Sequence, residues 1–148
     1  MSVSHRLSLA MSAAELQSYY RDVANEAGDA GPHTTVEQLD ERRMQLRVEI
    51  GERFARPGGT VSGPALFALA DAAGWMFAGA HRGAGSDAFT TDISMQFLRP
   101  VSIGSVVVES TVLRRGSRQV FEVAIDPQTV GPAVHAVVAF TTRPRQVL

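Results

Sequence analysis

Hydrophobic and polar residues follow two different periodicities along the chain. Apolar residues at helical spacing predict a helix over residues 12–27, with Ser12 as its N-cap and Glu15 at the capping-box position. Strict alternation of apolar and polar residues over 44–50 predicts a half-buried strand. After a second helical segment, four more strand-like runs separated by turn residues follow, at 89–97, 105–113, 121–125 and 134–140.

The second helix, over residues 62–81, is almost entirely apolar. Ser62 is a suitable N-cap, and Pro64 stands in the first turn, where its missing N–H costs nothing. Because a helix that is apolar on every side is normally buried on every side, we predict an α+β domain in which a curled antiparallel sheet wraps around this central helix. No linker or repeat divides the chain, so residues 1–148 are interpreted as one domain that carries the N-terminal helix. The open edges of such a sheet predict self-association, as a homodimer or a dimer of dimers.

Composition excludes several classes of function. The 148 residues include 15 acidic and 14 basic side chains, for a net charge of −1, which argues against a nucleic-acid or membrane-surface protein. There is no Cys and every basic residue is Arg, so thiolate metal sites, a Cys nucleophile and Schiff-base chemistry are excluded. No signal-peptide pattern is recognisable and Asp71 interrupts the longest apolar stretch, so we expect a cytoplasmic protein without a membrane span.

Asp71 is the only ionisable residue between Pro64 and Ala80. A buried carboxylate costs several kcal/mol unless it is paired, so it either anchors backbone donors or works at a site. Gly63, at the start of the same helix, offers an N–H where the helix dipole favours negative charge. An oxyanion donor and a carboxylate suit acyl transfer. Their 8-residue separation is about 12 Å along the helix, so they would meet at one carbonyl only across a two-fold dimer.

Several motifs together resemble the hotdog-fold acyl-CoA thioesterases, most of all the phenylacetate-pathway and 4-hydroxybenzoyl-CoA branch. The resemblance covers residues 56–143 and rests mainly on the helix motif together with a Phe-Leu-Arg-Pro run about 25 residues later. The motifs are the run from Ser62 to Asp71, Thr-Asp-Ile at 91–93, Phe-Leu-Arg-Pro at 97–100, and Gly116.

The resemblance implies roles for individual residues. The carboxylate of the family's Leu-Ala-Asp run maps onto Asp71, and the carbonyl-polarising Gly of its His-Gly-Gly motif maps onto Gly63. This chain has Ser62, Gly63 and Pro64 where the family has His-Gly-Gly. Ser62 can cap the helix and donate a hydrogen bond but has no imidazole, and Pro64 has no N–H, which leaves Gly63 as the single amide donor.

Other candidates concern substrate binding. Among the polar residues at 90–94, we select Thr91 by its position as the residue that could reach the thioester. Trp75, one turn beyond Asp71, could form a wall of the acyl pocket or simply belong to the core. Arg114, Arg115 and Arg118 surround Gly116 in a predicted hairpin loop, which could bind the phosphates of coenzyme A or be a solvated turn. His5, His33 and His81 have no metal-like spacing, and no nucleotide or nucleophile motif occurs, so we expect no metal and no cofactor apart from coenzyme A in the substrate.

The sequence therefore predicts an enzyme that hydrolyses acyl-CoA or related acyl thioesters. Two other classes remain open. A non-catalytic acyl-CoA-binding hotdog protein is suggested by the Ser-Gly-Pro departure. A hotdog hydratase would require a His paired with an acid near the helix, and His81, ten residues after Asp71, fits that requirement poorly.

Overall fold

Two helices and a six-stranded antiparallel sheet form the part of the chain that the computed structural model describes, residues 8–28, 31–84 and 86–144. The predicted α+β class is confirmed. The N-terminal segment that contains His5 lies outside the described residues. The elements are α1 Ala13–Glu26, β1 His33–Leu39, β2 Arg43–Ile50, a 3₁₀ turn Glu52–Phe54, α2 Gly63–Arg82, β3 Ser86–Phe97, β4 Gly104–Arg114, β5 Arg118–Gln128 and β6 Gly131–Pro144.

The sheet curls around α2 in the strand order β1-β2-β4-β5-β6-β3. One face of α2 packs into the concave side, where Phe77 lies 5.1 Å from Phe121 between ring centroids, and Phe121 in turn contacts Phe140. All three rings are fully buried. The alternation over β4, β5 and β6 matches their inward-facing residues, so these predicted strands and the central helix are confirmed.

The prediction of a single strand before α2 was incomplete. The structure has two strands there, β1 and β2, which form a hairpin whose turn is held by the Asp40 carboxylate, 2.8 Å from the amides of both Arg42 and Arg43. β1 lies at the edge of the sheet, is mostly exposed, and contains a register shift between Val36 and Gln38. These features interrupt the regular alternation from which a strand is recognised in sequence.

The expectation that α2 is buried on all sides is wrong for the described chain. Phe67 is 46 % exposed, Ala68 is exposed as well, and Asp71 is half-buried. The side that packs on the sheet is fully covered, as Ala70 and Phe77 show. A single curled sheet covers only one side of a helix, so packing on the sheet does not explain why the other side of α2 is apolar.

The N-terminal helix α1 partly covers that other side. The predicted capping box between Ser12 and Glu15 is present, and Leu16 is fully buried. The Gln17 side chain bonds the backbone of β1 twice, donating to the Thr34 carbonyl and accepting from the Val36 amide, each at 2.7 Å. These contacts fix α1 against the edge of the sheet.

The opposite edge of the sheet is formed by β3, which is 12 residues long. Within the described chain no strand pairs with its outer side. Phe89 is 42 % exposed and Phe97 is 54 % exposed on this strand. None of the described helices is long and apolar enough to cross a membrane.

Candidate active site

The Asp71 carboxylate lies in a cleft between α1, α2 and β3. Asp71 sits in the middle of α2, and its Oδ1 accepts a hydrogen bond of 2.6 Å from the Thr90 hydroxyl on β3. The cleft has a volume of about 310 Å³, and Trp75 forms part of its wall one turn further along the helix. The ring of Trp75 is in turn stacked on Tyr19 of α1, at 5.8 Å between centroids. The structure therefore brings Asp71 and Trp75 together at one opening, with a polar contact at the carboxylate.

Thr90, and not the selected Thr91, is the hydroxyl that reaches Asp71. The ladder between β3 and β6 shifts its register between Thr90 and Asp92, which makes Thr91 the additional residue of a bulge. Thr91 is exposed and its hydroxyl donates to the Ala139 carbonyl at 3.3 Å. Ile93, three positions after Thr90, also faces inward. In a regular strand, residues three positions apart point to opposite faces of the sheet, so it is the bulge that turns Thr90 toward α2. The structure thus adds Thr90 to the candidate site, and a role of Thr91 in substrate binding stays a prediction.

The start of α2 is arranged as an N-terminal cap with one unoccupied donor. Ser62 is the N-cap, and its Oγ accepts from the Ala65 amide at 3.3 Å. Pro64 has no N–H, and within the described chain no acceptor bonds the N–H of Gly63. A Cβ placed on Gly63 would meet no atom within 4 Å, so this helix start is open. Gly63 and Asp71 lie about 12 Å apart along the helix axis.

The Arg-bearing hairpin lies at the other end of α2. The turn between β4 and β5 contains Gly116, whose φ of 136° is in the region that favours glycine, and the Gly116 carbonyl accepts a hydrogen bond from the Arg82 guanidinium. Arg114 and Arg118 are exposed on either side of it. Partial burial, together with the neighbouring Arg82 charge, lowers the pKa of Arg115. The hairpin is therefore a cluster of positive charges, and Arg82, which contacts it, lies about 16 Å along α2 from Asp71.

His81 has a structural environment. It is buried, and its ring nitrogens lie 2.8 Å from the Phe77 carbonyl oxygen and 2.9 Å from that of Glu41. Both nitrogens are thus occupied by backbone groups, so the imidazole does not serve as the acid–base group that a hydratase would need. Among the described residues no group of three or more His, Cys, Asp or Glu side chains could hold a metal ion.

Comparison with known proteins finds chains similar to this one among thioesterases. Residues 58–126 match the family model described as the Thioesterase superfamily. A solved structure from Silicibacter sp. TM1040, described as a "putative thioesterase", superposes with a TM-score of 0.81 at 26 % identity, covering 95 % of this chain and 97 % of that one. The fold is the hotdog fold. The thioesterase HI1161 of Haemophilus influenzae shares this hotdog architecture, with a TM-score of 0.74 at 18 % identity over 91 % of this chain and 92 % of that one.

Two further matches carry a ligand or an activity in their descriptions. The Streptococcus mutans protein smu.793, solved bound to acetyl-CoA, matches with a TM-score of 0.66 at 15 % identity, over 78 % of this chain and 92 % of that one. Among curated proteins, the Putative esterase Ta0293 of Thermoplasma acidophilum is 27 % identical over 81 residues. That match spans 55 % of this hotdog chain and 61 % of the relative's own length.

Proposed function

We propose that this hotdog protein hydrolyses acyl-CoA or a related acyl thioester, with Asp71 as its catalytic carboxylate. The observation that carries the proposal is the place of Asp71, which is half-buried in a cleft and held by the Thr90 hydroxyl at 2.6 Å. In the reaction, the oxygen of water joins the acyl carbon, the C–S bond breaks, and the thiol leaves with a proton.

Asp71 can act by either of two routes. Its carboxylate removes a proton from the attacking water, or it attacks the carbonyl carbon directly and forms an anhydride that water then cleaves. In both routes Oδ1 is held by Thr90, so the second carboxylate oxygen is left for water or for the substrate carbon.

The oxyanion donor in this proposal is the Gly63 N–H of a second subunit. Two observations support it: the amide has no acceptor within the described chain, and it lies about 12 Å from Asp71 along the same helix. The unpaired edge of β3, with Phe89 and Phe97 exposed, offers a surface for two-fold pairing, in a homodimer or a dimer of dimers.

Coenzyme A would then place its phosphates at the Arg-bearing hairpin. Arg114 and Arg118 are exposed there, and guanidinium groups match the geometry of phosphate oxygens. The pantetheine arm would then run between this hairpin and the Asp71 cleft.

Removing the Gly63 N–H is expected to lower kcat by about a hundredfold, the usual effect of losing one oxyanion donor. Gly63→Pro removes it at a helix position that tolerates proline. The control is Gly63→Ala, which adds a Cβ where nothing lies within 4 Å and keeps the N–H. Both variants are assayed for thiol release and for thermal unfolding. Equal activity of the two variants would contradict the role of this amide.

The same variants test whether the site is shared between subunits. In an equal mixture of Asp71→Asn and Gly63→Pro chains that exchange freely, half of the dimers are mixed, and each mixed dimer has one site without either substitution. The expected activity is about a quarter of wild type. If both groups acted within one chain, every site would carry one defect and mixing would restore nothing.

Thr90 is expected to act as a positioning residue for Asp71. Thr90→Val keeps the shape of the side chain and removes the 2.6 Å hydrogen bond. We expect kcat to fall about tenfold with little change in KM, since a hydrogen bond to a charged group contributes about 1.5–3 kcal/mol. Thr90→Ser restores the hydroxyl and should restore most of kcat, whereas a merely structural role would leave the Val and Ser variants alike in kcat.

A non-catalytic acyl-CoA-binding protein is the second candidate. Its support is the helix start, where Ser62 Oγ is engaged with the Ala65 amide and Pro64 offers no N–H. A thiol-release screen with aryl and aliphatic CoA esters separates the two functions. Tight binding by calorimetry without thiol release across the whole panel would favour the binding function.

A further inference from the structure

A second, apolar cavity lies directly beside the Asp71 cleft. It has a volume of about 200 Å³ and is bordered by the first half of α2, the end of β2, the 3₁₀ turn and α1. No charged side chain is among its lining residues, which are Tyr20, Gly31, Pro32, Ile50, Phe54, Val61, Ala65, Ala68, Leu69 and Ala72. An apolar cavity of about 150 Å³ suffices to bind benzene, so this space is large enough for a ring or a short chain.

Small side chains of α2 connect this cavity with the cleft. Ala68 and Ala72 line both spaces, as do Tyr20 and Gly31. The two alanines are four positions apart and so lie one above the other on the same helix face, the face that is turned away from the sheet. An apolar group attached to a carbonyl at Asp71 can therefore pass over these alanines into the inner cavity.

Tyr20 borders this path on the side of α1. It lines the cleft, the inner cavity and a third cavity of about 230 Å³. The lining of this third cavity is mixed, with the polar side chains of Arg21, Asn25 and His33 beside apolar surface. The helix that carries Tyr20 is held against the sheet by the two Gln17 hydrogen bonds and by the buried Leu16.

We infer that the acyl group of the thioester occupies the inner apolar cavity and that Tyr20 is the specificity-determining residue that limits its length. The inference rests on the proposed thioesterase function and extends it to the substrate class: a compact, uncharged acyl group, aromatic or short aliphatic. Tyr20 lies on α1, outside the residues 58–126 that match the thioesterase family model, so that match carries no information about this limit.

The test is a series of straight-chain acyl-CoA esters from acetyl to palmitoyl, assayed for kcat/KM on the wild type, Tyr20→Ala and Tyr20→Phe. We expect the wild type to prefer short and medium chains. Tyr20→Ala joins the inner cavity to the third one, so the ratio of kcat/KM for long to medium chains should rise at least about tenfold, since each methylene accommodated in an apolar pocket is worth that much or more. Tyr20→Phe keeps the ring and should keep the wild-type profile.

Tyr19→Ala is the matched control. It removes a neighbouring tyrosine of α1 that is stacked on Trp75 and is not a lining residue of any of the three cavities. An equal shift of the chain-length profile in Tyr19→Ala and Tyr20→Ala, or no shift in Tyr20→Ala, would overturn the inference.

A binding measurement keeps this result separate from the proposed catalysis. Calorimetry with the same esters, on protein that carries Asp71→Asn, measures how the binding affinity depends on the length of the acyl group, without hydrolysis. If the wild type releases no thiol but Tyr20→Ala still moves the affinity optimum to longer chains, the proposed hydrolysis is wrong and the acyl cavity stands. If neither hydrolysis nor binding is detected with any ester, both are wrong.

Discussion

Asp71→Asn is expected to reduce the release of thiol from an accepted acyl-CoA by at least about a thousandfold, the scale on which a general base or a nucleophile contributes. Asn has the shape of Asp and keeps an oxygen that can accept the 2.6 Å hydrogen bond from Thr90, so the local structure is preserved. What the substitution removes is the charge and basicity of the carboxylate. The effect should therefore appear in kcat, with the affinity for acyl-CoA within about threefold of wild type.

The appropriate control is Asp22→Asn, the same chemical change at an exposed residue of α1 that does not line the cleft. It should leave kcat and KM unchanged, and both variants should unfold at the wild-type temperature. A rate for Asp71→Asn within about tenfold of wild type would show that Asp71 is a structural residue, because loss of a group that takes part in the chemical step costs more than that.

Gly74→Ala is expected to give the largest loss of stability among the substitutions considered, because α2 packs against β6 at this residue without space for a side chain. A Cβ on Gly74 would lie 2.6 Å from Cγ2 of Val138 and 2.6 Å from Cε2 of Phe140. Both are buried and packed, so relief requires moving the helix away from the sheet. We expect the free energy of unfolding to fall by about 1–3 kcal/mol, the usual cost of overpacking.

Gly79→Ala is the matched control in the same helix. There the new Cβ would be in ordinary contact with Cε1 of Tyr19 at 3.9 Å, so the better helix propensity of Ala should raise the free energy of unfolding by up to about 1 kcal/mol. Chemical unfolding at one fixed protein concentration measures both, since stability depends on concentration if the chain associates. If Gly74→Ala and Gly79→Ala changed the free energy of unfolding equally and in the same direction, the close approach of α2 and β6 at Gly74 would be contradicted.

Local patterns in the sequence predicted most of the fold correctly. The capping box of α1, the proline and serine at the start of α2, and the alternation over β4, β5 and β6 all depend on residues within one element, and all are confirmed. The hairpin of β1 and β2 was not recognised, because an edge strand with a bulge has no regular face to bury.

The candidate site divides in the same way. Asp71 could be selected from the sequence because a carboxylate in an apolar helix is costly wherever that helix packs. Its partner could not, since the bulge that turns Thr90 toward α2 depends on how β3 pairs with β6. Ser62 and Gly63 were placed correctly at the helix start, whereas the contact of the Arg-bearing hairpin with Arg82, at the other end of α2, follows only from the path of the chain between them.

By itself, the sequence determined the class of fold, the central helix and the one acid that this helix carries, because helical and strand periodicity and the cost of a buried charge act within a few neighbouring residues. Only the tertiary structure decided that α2 has an uncovered side, that Thr90 holds Asp71, and that Tyr20 of α1 lines three neighbouring cavities. Each of these depends on contacts between residues far apart in the chain, whose register and packing no local pattern specifies.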